Sequence, residues 1–70
     1  MERAPVSSAT MSSVGYDLEV RTLEIEFASG EIYQYLDVPE EIYRGLMTAD
    51  SKGRYFNLVI KPLGFEYRKL

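Results

Sequence analysis

The sequence predicts an α+β domain: a three-stranded antiparallel meander packed by two short helices, with a C-terminal extended segment. Three observations predict it. Residues 21–27, RTLEIEF, alternate apolar and acidic side chains, the period of a half-buried strand. Residues 31–37, EIYQYLD, are rich in strand formers and follow at hairpin distance across Ala28-Ser29-Gly30. Beyond Pro39 the apolar spacing shifts from two to between three and four, the period of a helix.

Residues 1–10 carry small and polar side chains without periodicity and are expected as a flexible N-terminal tail, leaving a single domain over 11–70. MSSVGYD, 11–17, is the first and weakest strand, with Val14 and Tyr16 on one face and a turn from Asp17 to Arg21 after it. In the second strand Leu23, Ile25 and Phe27 share one face, while Glu24 and Glu26 share the other.

The loop then decides which way the tyrosines point. A two-residue loop, Ser29-Gly30, sends Tyr33 and Tyr35 to the glutamate face. A three-residue loop pairs Phe27 with Glu31, sets Tyr33 beside Ile25 and Tyr35 beside Leu23, and places Glu24 opposite Gln34. Three-residue hairpins want glycine in the left-handed conformation at their last position, where Gly30 stands, so this register is favoured. It leaves Ile32 and Leu36 on the outward face.

Asp37 and Glu40 have the spacing of a capping box, with Pro39 in the first turn of the first helix. Ile42, Tyr43, Leu46, Met47 and Ala49 fall within about 160° of its helical wheel. Gly45 weakens this helix by about 1 kcal/mol relative to alanine, or admits a close neighbour. The second helix starts from Asp50 or Ser51 as N-cap. Its inward stripe is Tyr55, Phe56, Val59 and Ile60, and Gly53 allows its first turn to approach the sheet. Arg54, Asn57 and Lys61 lie opposite, within about 60° of one another. Pro62 and Gly64 stop the helix, and FEYRKL reads as a last strand or extended tail.

Composition narrows the chemistry. A chain of 70 residues buries only about 60–65% of its unfolded surface, enough for one thin core. It has no cysteine and no histidine, which excludes disulfides, thiolate metal sites and an imidazole proton shuttle. Glu24 and Glu26, about 7 Å apart along their strand, have a spacing that paired carboxylates can use, but any solvated strand face shows the same alternation. No calcium-loop or phosphate-loop spacing is present. A non-enzymatic protein without catalytic residues, cofactor or metal is expected. With no apolar run fit for a signal peptide or membrane span, the expected setting is the cytoplasm, without a membrane partner.

Residues 1–43 hold nine acids against Arg3 and Arg21, a balance of −7, whereas residues 44–70 balance at +4. This division points mildly to an anionic partner at the basic half, although small domains often distribute solvated charge unevenly. Rings at Tyr33, Tyr35, Tyr55, Phe56 and Tyr67 can form a stacking platform for bases, with Lys52, Arg54, Asn57, Lys61, Arg68 and Lys69 supplying polar contacts. Against this, a small domain without tryptophan needs its rings for the core, and tyrosines at a sheet–helix seam bury the ring while the hydroxyl stays wet. The tyrosines are therefore expected mainly to pack. Asn57 is expected to tie its helix to a neighbouring loop.

VGYD, LEIEF, SG with Tyr33-x-Tyr35, VPEEIY, DSKGRYFN and a final aromatic-x-Tyr, in this order over about residues 12–67, resemble the KTSC domain. That domain takes its name from the C-terminus of some lysyl-tRNA synthetases and also occurs as a free-standing bacterial protein. The resemblance implies a module associated with RNA or with a tRNA-related enzyme. A protein-interaction or homo-oligomerisation module, using a sheet edge or the Ile32/Leu36 face, is the alternative.

Overall fold

The central hairpin takes the register of the three-residue loop. In the computed structural model, which describes residues 1–70, Leu23 faces Tyr35, Glu24 faces Gln34 and Ile25 faces Tyr33. The loop closes through the Phe27 N–H donating to the Glu31 carbonyl at 2.8 Å and the Gly30 N–H donating to the Phe27 carbonyl at 2.9 Å. Gly30 adopts a φ of 94°, open to glycine without steric penalty.

The meander has five strands, not three: β1 (Ala4–Pro5), β2 (Met11–Asp17), β3 (Thr22–Phe27), β4 (Ile32–Tyr35) and β5 (Tyr67–Lys69), antiparallel and in sequential order. The first addition comes from the stretch read as a tail. Ala4 pairs with Val14 and Pro5 with Ser13 at the sheet's edge, where a proline's missing N–H removes no ladder bond. The second is the extended segment after Gly64, which pairs Tyr67 with Tyr35, Arg68 with Gln34 and Lys69 with Tyr33. The C-terminal pairing realises the strand that FEYRKL offered as an alternative to an extended tail, whereas the two residues of β1 are too few to show a period of two.

Helix α1 (Glu40–Thr48) starts two residues later than a capping box at Asp37 and Glu40 requires. Pro39 is the N-cap and no side chain caps the helix. Asp37 instead has a φ of 57° and an exposed side chain near Arg21. Burial explains the change: Val38 is 0% exposed, its N–H donates to the Arg21 carbonyl at 2.8 Å, and its carbonyl accepts the Tyr16 hydroxyl at 2.5 Å. Anchoring Val38 turns Asp37 outward. Leu46 is fully buried on the predicted stripe, and Tyr16 stacks on Tyr43 with centroids 4.8 Å apart.

The second helical segment comprises α2 (Lys52–Tyr55), a π-helical turn (Phe56–Ile60) and α3 (Lys61–Leu63), one after another without a break. Ser51 is its N-cap, accepting the Arg54 N–H at 3.3 Å. The widened turn shows in the Lys61 N–H, which donates to the Phe56 carbonyl five residues back. Phe56 and Ile60 are buried beneath it, and Gly64 ends the segment in the left-handed conformation.

The close approach anticipated at Gly45 is present, and Gly53 closes on Thr10 just ahead of β2, not on a strand of the sheet. A Cβ on Gly45 would meet the Tyr55 hydroxyl at 2.1 Å, and one on Gly53 would meet Thr10 Oγ1 at 2.4 Å. The core lies between the helices and one face of the sheet, where Met11, Val14, Leu23, Ile25, Leu46 and Ile60 are at most 1% exposed. No helix is long and apolar enough to cross a membrane.

The opposite sheet face is not the simply solvated surface expected of it. Glu24 is 4% exposed. Its Oε1 accepts Gln34 Nε2 at 2.8 Å, and its Oε2 accepts Arg3 Nη1, delivered by the segment leading into β1. Arg3 Nε also donates to Ser13 Oγ at 2.9 Å, and Ser13 Oγ donates to Glu26 Oε1 at 2.8 Å. Burial alone would push the Glu24 carboxyl up, but the bonds from Gln34 and Arg3 and the guanidinium charge outweigh it and hold Glu24 below its ordinary range.

Candidate functional site

Between the hairpin end of the sheet and the second helical segment lies a cleft of about 530 Å³. Its sheet wall carries Phe27, Tyr33, Tyr35 and Tyr67, and its helix wall carries Phe56 and Phe65 with Ile60 and Lys61. The register makes the sheet wall: Tyr33 and Tyr35 alternate onto the helix-facing side of β4, and β5 sets Tyr67 opposite Tyr35 on that same side. The π turn and the αL residue Gly64 shape the other wall, placing Phe56 inward and returning the chain to Phe65.

The rings form one connected cluster. Phe27 meets Tyr33 edge-on at 5.7 Å and Phe56 at 5.4 Å, and Phe56 meets Tyr35 at 5.7 Å. Tyr33 stacks on Tyr35 at 6.2 Å, and Tyr67 tilts over both at 5.5 and 5.8 Å. Tyr35 is 9% exposed, Tyr33 is half-buried and Tyr67 is 60% exposed. Burial, reinforced by the neighbouring phenols of Tyr33 and Tyr67, pushes the Tyr35 hydroxyl up to about 12.

Charge collects at the mouth. Lys61 lines the cleft and forms no ion pair within the chain. Lys69, opposite Tyr33, pairs with Glu31, which also lines the cleft. Their mutual bond lowers the Glu31 carboxyl and raises the Lys69 ammonium from their ordinary values.

The structure thus brings together four of the eight sequence-predicted binding residues: Tyr33, Tyr35, Lys61 and Lys69. The other four stand elsewhere. Lys52 donates through Nζ to the carbonyls of Met47 (3.1 Å) and Ala49 (3.4 Å), closing the end of α1. Arg54 borders a shallow depression with Tyr55 and Leu58, away from the cleft. Asn57 is exposed and takes part in none of the chain's side-chain hydrogen bonds, so the expected tie to a loop is absent. Arg68 faces Gln34 on the far side of the sheet.

Tyr55 also leaves the expected platform, because its hydroxyl packs against Gly45 of α1. Phe27, Phe65 and Glu31 were missed. For Phe27 and Glu31 the signal was the three-residue loop itself, which pairs them, and for Phe65 it was the helix stop at Gly64 just before it. No group of three or more His, Cys, Asp or Glu side chains in the chain is arranged to share a metal ion.

The KTSC domain model matches residues 7–65. The chain belongs to the KTSC domain family. A KTSC domain protein from Yersinia pestis, known from a crystal structure, superposes with a TM-score of 0.93 at 49% identity, covering 99% of this chain and 96% of that one. A protein of Stutzerimonas stutzeri is 44% identical over 70 residues, 100% of this chain and 99% of its own length. A lysine–tRNA ligase of Nostoc punctiforme is 40% identical over 53 residues, which is 76% of this chain but 9% of the ligase. Similarity to this chain thus extends over nearly the whole of one small protein and over a minor part of a much larger one.

Proposed function

We propose that this KTSC domain is a non-enzymatic binding module for single-stranded RNA, tRNA included, and that its aromatic cleft is the contact surface. The observation that carries this reading is the combination at one opening: a solvent-exposed tyrosine over a ring cluster, with an unpaired lysine beside it. Bases stack on exposed rings whatever their identity, each adding about 1–3 kcal/mol, and a nearby ammonium offsets phosphate charge. A π turn adjoins this opening, and such turns frequently lie at functional sites. A similar segment within a lysine–tRNA ligase lends the reading context.

Nothing in the outer carboxylates argues for catalysis: Glu24 is enclosed by Arg3 and Gln34, and Glu26 is bonded to Ser13. The expected measurement is a titration with tRNA and short single strands at about 50 mM salt, with binding that weakens steeply as salt rises. No binding at low salt refutes the proposal.

A protein-interaction role is the second reading. It finds support in the open edge of β5 and the exposed Leu63 and Leu70, but not in the Ile32/Leu36 face, where both side chains are half-buried. Arg68 and Lys69 on that three-residue edge are the kind of charge that discourages strand addition, so the cleft ranks first. Light scattering above the monomer size would restore the second reading.

A further inference from the structure

The six rings around the cleft do not offer equal faces. Phe27, Tyr33, Tyr35 and Phe56 cover one another through contacts at 5.4–6.2 Å, and Phe65 is half-buried. Tyr67 alone among them is more than half exposed. One free ring face takes one base, not a run of bases. The cleft's volume of about 530 Å³ agrees, lying within the roughly 300–1,000 Å³ of single-ligand pockets.

The charges then give that base a direction. Lys61 on the helix wall is free to meet a phosphate. On the hairpin wall Lys69 is already neutralised by Glu31, and the Glu31 carboxylate and Ser29 hydroxyl line the cleft there. A carboxylate repels a phosphate but accepts hydrogen bonds from sugar hydroxyls, as acidic residues do in dinucleotide sites. A nucleic-acid strand running on past the hairpin wall would bring a second phosphate to Glu31, whereas a chain that ends there brings ribose hydroxyls.

We propose that the cleft takes the 3′-terminal nucleotide of single-stranded RNA, with the base on Tyr67, the 5′-phosphate on Lys61 and the ribose hydroxyls on Glu31. This rests on the RNA reading above. Lys69 acts as a positioning residue, holding the Glu31 carboxylate at the wall by the bond between them.

The test is an NMR titration of the full chain with a short oligoadenylate, carrying either a free 3′-hydroxyl or a 3′-phosphate, at about 50 mM salt. The free end is expected to bind about tenfold or more tightly than the phosphorylated one, with shifts centred on Tyr67 and Lys61. Tyr67→Ala is expected to weaken binding by about 5- to 150-fold, the loss of one stacked base, while Tyr67→Phe, which keeps the ring, binds as the natural chain does. Glu31→Gln is expected to abolish the preference between the two ends without abolishing binding.

Equal affinity for the two ends, or binding unchanged in Tyr67→Ala with the fold intact by its amide spectrum, overturns this proposal and leaves the broader RNA reading standing. Absence of binding by either oligomer and by tRNA overturns both. A proline-rich peptide that binds the cleft, loses affinity in Tyr67→Ala and has no RNA competitor would also overturn both, and would identify a protein ligand instead.

Discussion

Replacing Arg3 with methionine tests whether the N-terminal segment is part of the fold. The guanidinium donates to the Glu24 carboxylate and to Ser13, and its side chain is 26% exposed while that of Glu24 is 5% exposed. Arg3→Met leaves a nearly buried carboxylate held only by Gln34. Removing one partner of a fully buried pair costs about 3–5 kcal/mol, and one hydrogen bond to a charged group contributes about 1.5–3 kcal/mol. Because Arg3 lies at an edge that water reaches, the lower range applies: a loss of about 1.5–3 kcal/mol. In a domain of this size that is a drop in Tm of about 6–24 °C. Urea unfolding followed by circular dichroism reads it, with the midpoint shifted and the slope nearly unchanged.

Acid supplies a second readout. A carboxyl held below its unfolded value contributes stability that is present above that unfolded value and is lost as pH falls through the folded one. The natural chain should therefore lose this contribution below about pH 4.3, the ordinary glutamate value. In Arg3→Met, with the cation gone, burial dominates, Glu24 moves upward and this acid loss flattens or reverses. A loss under about 0.5 kcal/mol with an unchanged acid profile would show that residues 1–5 are not docked on the sheet.

Three further outcomes are expected. Gly45→Ala should destabilise by about 1–3 kcal/mol despite alanine's better helix propensity, because its Cβ would meet the Tyr55 hydroxyl at 2.1 Å; relief by Tyr55→Leu in thermal melts checks the cause. Leu46→Ala, at a fully buried position on α1, should cost about 2–5 kcal/mol in denaturant unfolding, and a cost below about 1 kcal/mol would show that α1 does not seal the core. Tyr35 binds its proton more tightly when folded than at its ordinary 10.0, so stability should be full below about pH 10 and fall between there and about 12. Tyr35→Phe should flatten that alkaline loss, read by unfolding at stepped pH; an unchanged loss would mean the ring is not shielded.

Sequence made the middle of the chain legible because there two independent signals agree. Alternation in RTLEIEF and glycine at residue 30 select the same hairpin register, and that register puts Tyr33 and Tyr35 on the helix side. Ser51 as a cap and the stripe of Phe56 and Ile60 were legible for the same reason. The ends were less so: FEYRKL left strand and extended tail both open, and Ala4–Pro5 is a strand only because β2 offers it an edge, a tertiary cause without a local pattern.

Asp37 misled because its spacing to Glu40 imitates a capping box, while the buried Val38 governs the chain's entry into α1. Glu24 misled in the opposite direction, since alternation reports which face a side chain occupies but not what lies over it. Of the candidate site, the ring positions on β4 followed from the register. The grouping of Lys61 with Tyr67 and Glu31 did not, because it depends on how the second helical segment returns to the sheet.

The most direct test is a salt series on RNA binding, run on the natural chain and on Lys61→Ala. If single-stranded RNA binds through the cleft, log K falls linearly with log salt, and Lys61→Ala lowers the slope's magnitude by about 0.7, the share of one phosphate contact on a single strand. The same slope in both chains, or no RNA binding at about 50 mM salt, would contradict the account.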